Sequence, residues 1–317
     1  MSNPSAEELL DAARAGSPRA LARLISWIED GSPHLPTVAR LLTGARRARV
    51  VGLTGAPGVG KSTTTSALVT ALRAQGDRVA VLAVDPSSPF SGGALLGDRV
   101  RMTEHSADPD VYIRSMASRG HLGGLAAAAP MAIRLLEAVG FDVVLVETVG
   151  VGQSEVEIAG AADTTVVLLA PGMGDGIQAA KAGLLEVGDI YVVNKADRDG
   201  AEVVRRDLRS MIGLAERGAE DWRPPIVMAT ALEGRGIDEL VVALADHVAW
   251  SRRSGEFARR RHDRARREIS ALAWVRLQQS WAGWSGGDAL GRAADEVASG
   301  AVDVYTAVDR LLDHGRA

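Results

Sequence analysis

"GAPGVGKS", residues 55–62, decides how this chain is read. It follows the apolar run "RARVVGLT" (47–54) and precedes "TTTSALVTALRAQG" (63–76), which has the look of a helix. The eight residues fill every fixed position of the phosphate-loop pattern, in the strand–loop–helix setting that pattern requires. Glycines let the backbone curl so that several N–H groups converge on phosphate oxygens. The N-terminus of the following helix adds favourable partial charge. Within this pattern Gly55, Gly58, Val59 and Gly60 supply backbone, and Lys61 reaches β- and γ-phosphates. Ser62 offers a hydroxyl to magnesium, and Thr63 follows in the same first turn.

Outward from this loop, short runs rich in Val, Leu and Ile recur at 48–54, 78–84, 142–147, 165–170, 189–193 and 226–229. Helical segments separate them. Runs this uniformly apolar belong to strands buried on both faces, so the expected fold is α/β with a mostly parallel sheet and helices on both sides. The connection 85–141 is long and partly glycine-rich, and is expected to carry ligand-contacting loops and a helix. Residues 5–30 and 35–43 read as a helical prelude, broken at "AGSP" (15–18). Residues 237–280 read as one or two long helices, with more helix after "GWSGG" (283–287). The expected organisation is an N-terminal helical extension (1–45), a nucleotide-binding domain (46–248) and a C-terminal helical dimerisation region (249–317).

Composition narrows the class further. Hydrophobic residues make up 46% of 317, enough for a large core, but aromatics only 4%, so Ala, Val and Leu must fill it. With 36 basic and 40 acidic residues, the chain lacks the positive charge of a general nucleic-acid binder. There is no cysteine, which excludes disulfides and thiolate metal ligands and fits a reducing, cytoplasmic compartment. The N-terminus has no basic start followed by an apolar core, and no apolar run reaches the length of a membrane span.

A magnesium partner should end another parallel strand. "FDVVLVETVGVGQSE" (141–155) supplies Glu147, placed to hold magnesium through water or to orient a water. Gly150 follows where a backbone N–H can sense the γ-phosphate. Asp85 ends the strand at 78–84, and Asp98 lies farther along the next loop; both carboxylates are candidates for the metal or its waters. "NKAD" (194–197) follows a later strand. Asp197 can accept from guanine N1–H and the exocyclic amine, a donor pair that adenine lacks. Asn194 can bond the base edge or brace neighbouring loops, and the Lys195 stem can cover the ring. In "VMATALEG" (227–234), Ala231 and Leu232 can bring backbone N–H groups to the guanine carbonyl. From the residues alone, this is a magnesium-dependent site for GTP and GDP.

Several stretches go beyond generic nucleotide-binding sequence. "TGAPGVGKST" (54–63), "AVDPSSPFSGGALLGDRVRM" (83–102), "RSMASRGHLGGL" (114–125), "VLVETVGVGQSE" (144–155), "PGMGDGIQAAKAG" (171–183) and "NKAD" together resemble the G-protein chaperones of adenosylcobalamin-dependent methylmalonyl-CoA mutase. That family was long labelled arginine/ornithine transport ATPases, and belongs to the signal-recognition and nitrogenase-iron-protein class of P-loop GTPases. The resemblance spans roughly 5–315. It implies slow GTP hydrolysis that the mutase accelerates, and coupling to delivery of the cofactor or to protection or reactivation of the mutase. It also implies a homodimer built through C-terminal helices, with adenosylcobalamin held by the partner enzyme. Asp85, Asp98 and Glu147 then surround the metal and the attacking water. Gln153 resembles a hydrolytic glutamine, but Val151 holds the place directly after Gly150 that glutamine has in small GTPases, so Asp98 or Glu147 is the alternative water-positioning group. Asp175, Gln178 and Lys181 fall in the stretch that family members use to couple nucleotide state to the mutase.

Rival readings stay weaker on the residues. A small-molecule phosphotransferase needs an acceptor pocket and a base, and no motif supplies either. Nickel-insertion GTPases use Cys and His ligands, whereas the six histidines here are dispersed. The basic run 252–267 has one aromatic and interspersed acids, and reads as a solvated helix or dimer arm rather than a nucleic-acid or membrane contact. His121 reads as a hydrogen-bonded structural or loop histidine rather than a metal ligand, and the tryptophans at 250, 274, 281 and 284 as helix or interface anchors or as core packing within the monomer.

Overall fold

The structure is a computed structural model. It describes residues 4–44, 47–86, 104–105, 107–118, 124–148, 160–172, 187–214, 216–284 and 289–314. Three helices lead: α1 (Ala6–Arg14), α2 (Pro18–Glu29) and α3 (Leu35–Leu41). Local chemistry sets their starts. Ser5 and Glu8 form a reciprocal capping box on α1, while Ser17 caps α2 with Pro18 at its first position. β1 (Arg49–Thr54), α4 (Lys61–Ala74), β2 (Val79–Pro86), β3 (Val111–Ser118), α5 (Gly124–Val139), β4 (Val143–Thr148), β5 (Thr164–Leu169) and β6 (Ile190–Val193) follow. Then come α6 (Ala201–Gly213), β7 (Ile226–Met228), α7 (Ile237–Arg253), α8 (Glu256–Trp284), α9 (Ala289–Ala298) and α10 (Val304–His314).

The seven strands form one parallel sheet in the order β3-β2-β4-β1-β5-β6-β7. The side-chain alternation of a strand divides the core between the two faces. Ala80, Leu82 and Val84 of β2 pack with the N-terminal helices and α5, whereas Val79 and Val81 pack with α4 and α7. A third cluster joins Val167, Leu169, Tyr191 and Val193 to Val204 and Leu208 of α6. The expected parallel sheet with helices on both faces is thus present, with boundaries close to those read from the apolar runs.

One strand was not expected. The connection 85–141 holds β3 as well as α5, and β3 extends the sheet beyond β2. Val111 to Ser115 are only half-buried, and Arg114 stands mid-strand, so the segment lacks the continuous apolar run of its doubly covered neighbours. Arg114 instead reaches Ser26 and Glu29 of α2.

At the N-terminal edge of the sheet an aspartate directly precedes each of β4, β5 and β6. Each extends the ladder with both of its polar ends. Asp142, Asp163 and Asp189 donate their N–H to the carbonyls of Arg78, Val50 and Thr165. Their carboxylates accept the N–H of those same residues, at 3.0, 3.1 and 2.8 Å. Two of the three also receive the first turns of α8. Arg261 holds Asp163 with Nε and Nη2 at 3.1 and 2.6 Å, and Arg264 adds a contact at 2.7 Å. Arg260 grips Asp189 bidentately at 2.6 and 2.8 Å. His247 lies between Asp189 and Thr164, with Nε2 3.3 Å from the carboxylate and Nδ1 2.8 Å from the hydroxyl. Its ring sits against Trp222 and Trp250. The basic run therefore differs from its reading as a solvated face: three of its arginines turn inward onto buried aspartates. Trp250 packs on Trp222 and His247 and donates its indole N–H to the Glu220 carbonyl.

Chain contacts divide the molecule into two compact units, Met1–Ala265 and Arg266–Ala317. In the second, α9 and α10 pack on each other. Its described surface leaves Ile269, Leu272, Trp274, Leu277, Leu290 and Tyr305 exposed.

Candidate nucleotide site

The loop 55–60 leaves the C-terminal end of β1 and turns directly into α4. Two glycines are required there. Gly55 has φ +146° and Gly60 has φ +95°, values that side chains rarely adopt. A Cβ on Gly55 would stand 2.3 Å from the Leu168 carbonyl oxygen, and one on Gly60 would stand 2.3 Å from the Asn194 amide. The loop is thus pressed between β5 and the residue that follows β6, a cradle that only these glycines permit.

Lys61 is buried, and its ammonium donates to the carbonyls of Gly55 (2.7 Å) and Ala56 (3.1 Å). These neutral acceptors hold the ammonium over the loop that should cradle phosphate. The structure brings Ser62 and Glu147 together: the Ser62 hydroxyl donates to Glu147 Oε1 at 2.7 Å. Glu147 is 1% exposed near the C-terminal end of β4, level with Leu53 of β1 and Ala83 of β2. Its other oxygen accepts from Thr65 at 2.9 Å, a partner that sequence reading missed. The signal was present in the hydroxyl run "KSTTTS", where Thr65 lies three residues after Ser62 on the same helix face. Thr63, between them, is exposed.

The tetrad after β6 is tied to the same loop. Asn194 donates from Nδ2 to the Val59 carbonyl at 2.8 Å and accepts the Ala231 N–H at 3.1 Å. It braces the loops, one of its two expected roles. Lys195 takes a positive φ of 56° and donates to the Gly58 carbonyl at 2.7 Å. Asp197 is exposed in the turn that follows. Ala231 and Leu232 lie in the 3₁₀ turn Ala231–Glu233, with Leu232 87% exposed and the Ala231 N–H engaged by Asn194.

Asp85 lies in β2 at this same edge; its side chain is outside the described residues. Asp98, Gly150, Gln153, Asp175, Gln178, Lys181 and His121 also lie outside them. Among the described residues no group of three or more His, Cys, Asp or Glu could hold a metal ion. Magnesium needs only one or two protein oxygens and completes its shell with phosphate and water. The Ser62 hydroxyl and the Glu147 carboxylate are oxygen donors of that kind, facing each other beside the glycine cradle.

A glycine-rich GKS loop after the first strand, with the NKAD stretch two strands along the same edge, is the pattern of a P-loop GTPase. The particular family follows from comparison with known proteins. The chain belongs to the methylmalonyl-CoA mutase-associated GTPase family MeaB, whose model matches residues 21–283. A Pyrococcus horikoshii protein described as a GTPase is 45% identical over 271 residues, which cover 84% of this chain and 85% of that protein. The mouse methylmalonic aciduria type A homolog, a mitochondrial protein, is 43% identical over 228 residues, 71% of this chain and 54% of the mouse protein. Among solved structures, the LAO/AO transport system kinase aligns with a TM-score of 0.70 at 28% identity, covering 100% of this chain and 99% of that one. Among the described residues no helix is long and apolar enough to cross a membrane.

Proposed function

We propose that this GTPase couples GTP binding and hydrolysis to an adenosylcobalamin-dependent methylmalonyl-CoA mutase or a related acyl-CoA mutase, governing cofactor delivery, protection or reactivation. The observation that carries the reading is the joining of three parts at one sheet edge: the glycine cradle, the Ser62–Glu147 pair, and Asn194 bridging Val59 to Ala231. The family name and the mouse relative support the choice of partner. The cofactor of the mutase stays with the mutase in this reading.

At the site, Lys61 leaves the Gly55 and Ala56 carbonyls for the β- and γ-phosphate oxygens, a stronger pairing because it joins opposite charges. Loop N–H groups hold the phosphates, and Ser62 with Glu147 holds magnesium. Magnesium, when bound, neutralises charge on the phosphates. Asp197 reads guanine, while Asn194 and Lys195 keep the base loop fixed to the phosphate loop. Asp85, Asp98, Glu147 and Gln153 are the groups assigned to the metal surroundings and the attacking water. Asp175, Gln178 and Lys181 are assigned to coupling with the mutase. The region 249–317 is assigned to a homodimer contact, a reading that the exposed Ile269, Leu272, Trp274 and Leu277 support.

The test is GTP turnover with and without stoichiometric mutase, with ATP run in parallel. The expected result is slow GTP hydrolysis that rises on adding the mutase, and a loss of about 10²-fold or more in Lys61→Ala. Fast turnover that needs a small-molecule acceptor and ignores the mutase would instead indicate a phosphotransferase.

A further inference from the structure

Glu147 is buried, and a buried carboxylate must be held by donors. Ser62 takes Oε1, and the hydroxyl of Thr65 takes Oε2 at 2.9 Å. Thr65 is 0% exposed, so its hydroxyl is closed to bulk solvent. The same hydroxyl lies 3.0 Å from the Lys61 carbonyl, one turn back in α4. A hydroxyl has a single hydrogen, so these two acceptors share it. Given wholly to Lys61, it would leave Oε2 without that donor; given to Glu147, it fixes the carboxylate plane and presents Oε1 to Ser62. Thr65 comes from the helix that carries Ser62, whereas Glu147 comes from β4. The two hydroxyls therefore clamp the carboxylate at both oxygens from one rigid element.

We propose that Thr65 is a positioning residue that sets how tightly the nucleotide complex takes magnesium. Its hydroxyl orients Glu147 and touches neither nucleotide nor metal. The inference rests on reading Glu147 as the carboxylate on the metal side, and the experiment separates the two.

Full-length wild type, Thr65→Val, Thr65→Ser and Glu147→Gln would be titrated with a fluorescent GTP analogue, first in EDTA and then at increasing magnesium. Thermal unfolding would check that each variant is folded. Valine keeps the shape of threonine but removes the donor, while serine keeps the donor. In Thr65→Val the magnesium midpoint should rise about tenfold, the size expected when one hydrogen bond to a charged group is lost. Affinity in EDTA should change far less. Thr65→Ser should return the midpoint to within about twofold of wild type, because it restores that bond. A raised midpoint in Glu147→Gln with none in Thr65→Val would overturn the role given to Thr65 while leaving Glu147 in place. No change in Glu147→Gln would overturn the reading beneath it. Equal losses with and without magnesium, or failure of serine to rescue, would reduce Thr65 to a packing role in α4.

Discussion

The two edges of this one sheet are built on opposite principles. At the C-terminal edge, cationic side chains rest on neutral carbonyls: Lys61 on Gly55 and Ala56, Lys195 on Gly58. A phosphate can outbid such partners, because a bond between two charges is roughly twice as strong as one to a neutral acceptor. At the N-terminal edge, guanidinium groups already hold carboxylates: Arg261 and Arg264 on Asp163, Arg260 on Asp189. The aspartates are buried and the arginines are partly so, and each aspartate also carries a ladder bond from the neighbouring strand. No ligand offers them anything better. One edge is poised to exchange partners, and the other fixes the strand starts and the root of α8. The contrast shows that charge density does not locate function: the densest basic run of the chain serves to hold strand starts.

The sharpest way to break this contrast is to remove a charge from the fixed edge. Asp163→Asn leaves Arg261 and Arg264 facing an uncharged group in a buried setting. Urea unfolding should show a loss of about 3–5 kcal/mol, the range for breaking a buried ion pair by one partner. A loss below about 1 kcal/mol, the worth of an exposed pair, would mean that the clamp is solvated after all.

Acid should affect the same edge more gently. Burial pushes the Asp189 carboxyl up, but hydrogen bonds and charge from His247 and Arg260 outweigh it and hold the group below its ordinary 3.8. A depressed carboxyl contributes stability that is complete above 3.8 and is lost as pH falls through the lower folded value. Glu137, 3.7 Å from Arg261, runs the other way. Burial raises it above 4.5 against the pull of Arg261, so its contribution declines as pH climbs from 4.5 through the raised value. Unfolding free energies measured at pH 7 and pH 3 should therefore show Asp189→Asn well below wild type at neutrality, with the gap narrowing in acid. An unchanged gap would detach Asp189 from the acid response.

How far each edge could be read from sequence follows from the range of its contacts. The cradle lies within eight consecutive residues, and its glycines, lysine and serine are dictated by local backbone geometry. Six strands were visible because burial on both faces leaves continuous apolar runs. β3 was hidden because half-burial and Arg114 interrupt its run. The clamp was hidden for another reason: Arg261 and Asp163 are 98 positions apart, and no periodicity connects them. A local trace did exist in the aspartates that immediately precede β4, β5 and β6. In a parallel sheet such a residue can take the first open N–H of the strand beside it, and all three do so. Thr65 is the intermediate case: its spacing from Ser62 was legible, but its partner on β4 came only with the fold.

The claim that the exchangeable edge is a guanine-nucleotide site is tested most directly at Asp197. GTP, ATP and XTP would be titrated in magnesium against wild type and Asp197→Asn. Xanthine carries a carbonyl where guanine carries its exocyclic amine, so an asparagine N–H can donate where the aspartate accepted. Wild type should prefer GTP over ATP by at least about 10³-fold, since a site built for the guanine donors leaves its acceptor unpaired with adenine. The variant should lose GTP and gain XTP. ATP binding within about tenfold of GTP would contradict the account, because a site that bonds both guanine donors rejects a base lacking them by more than that. So would an Asp197→Asn variant that keeps its GTP affinity.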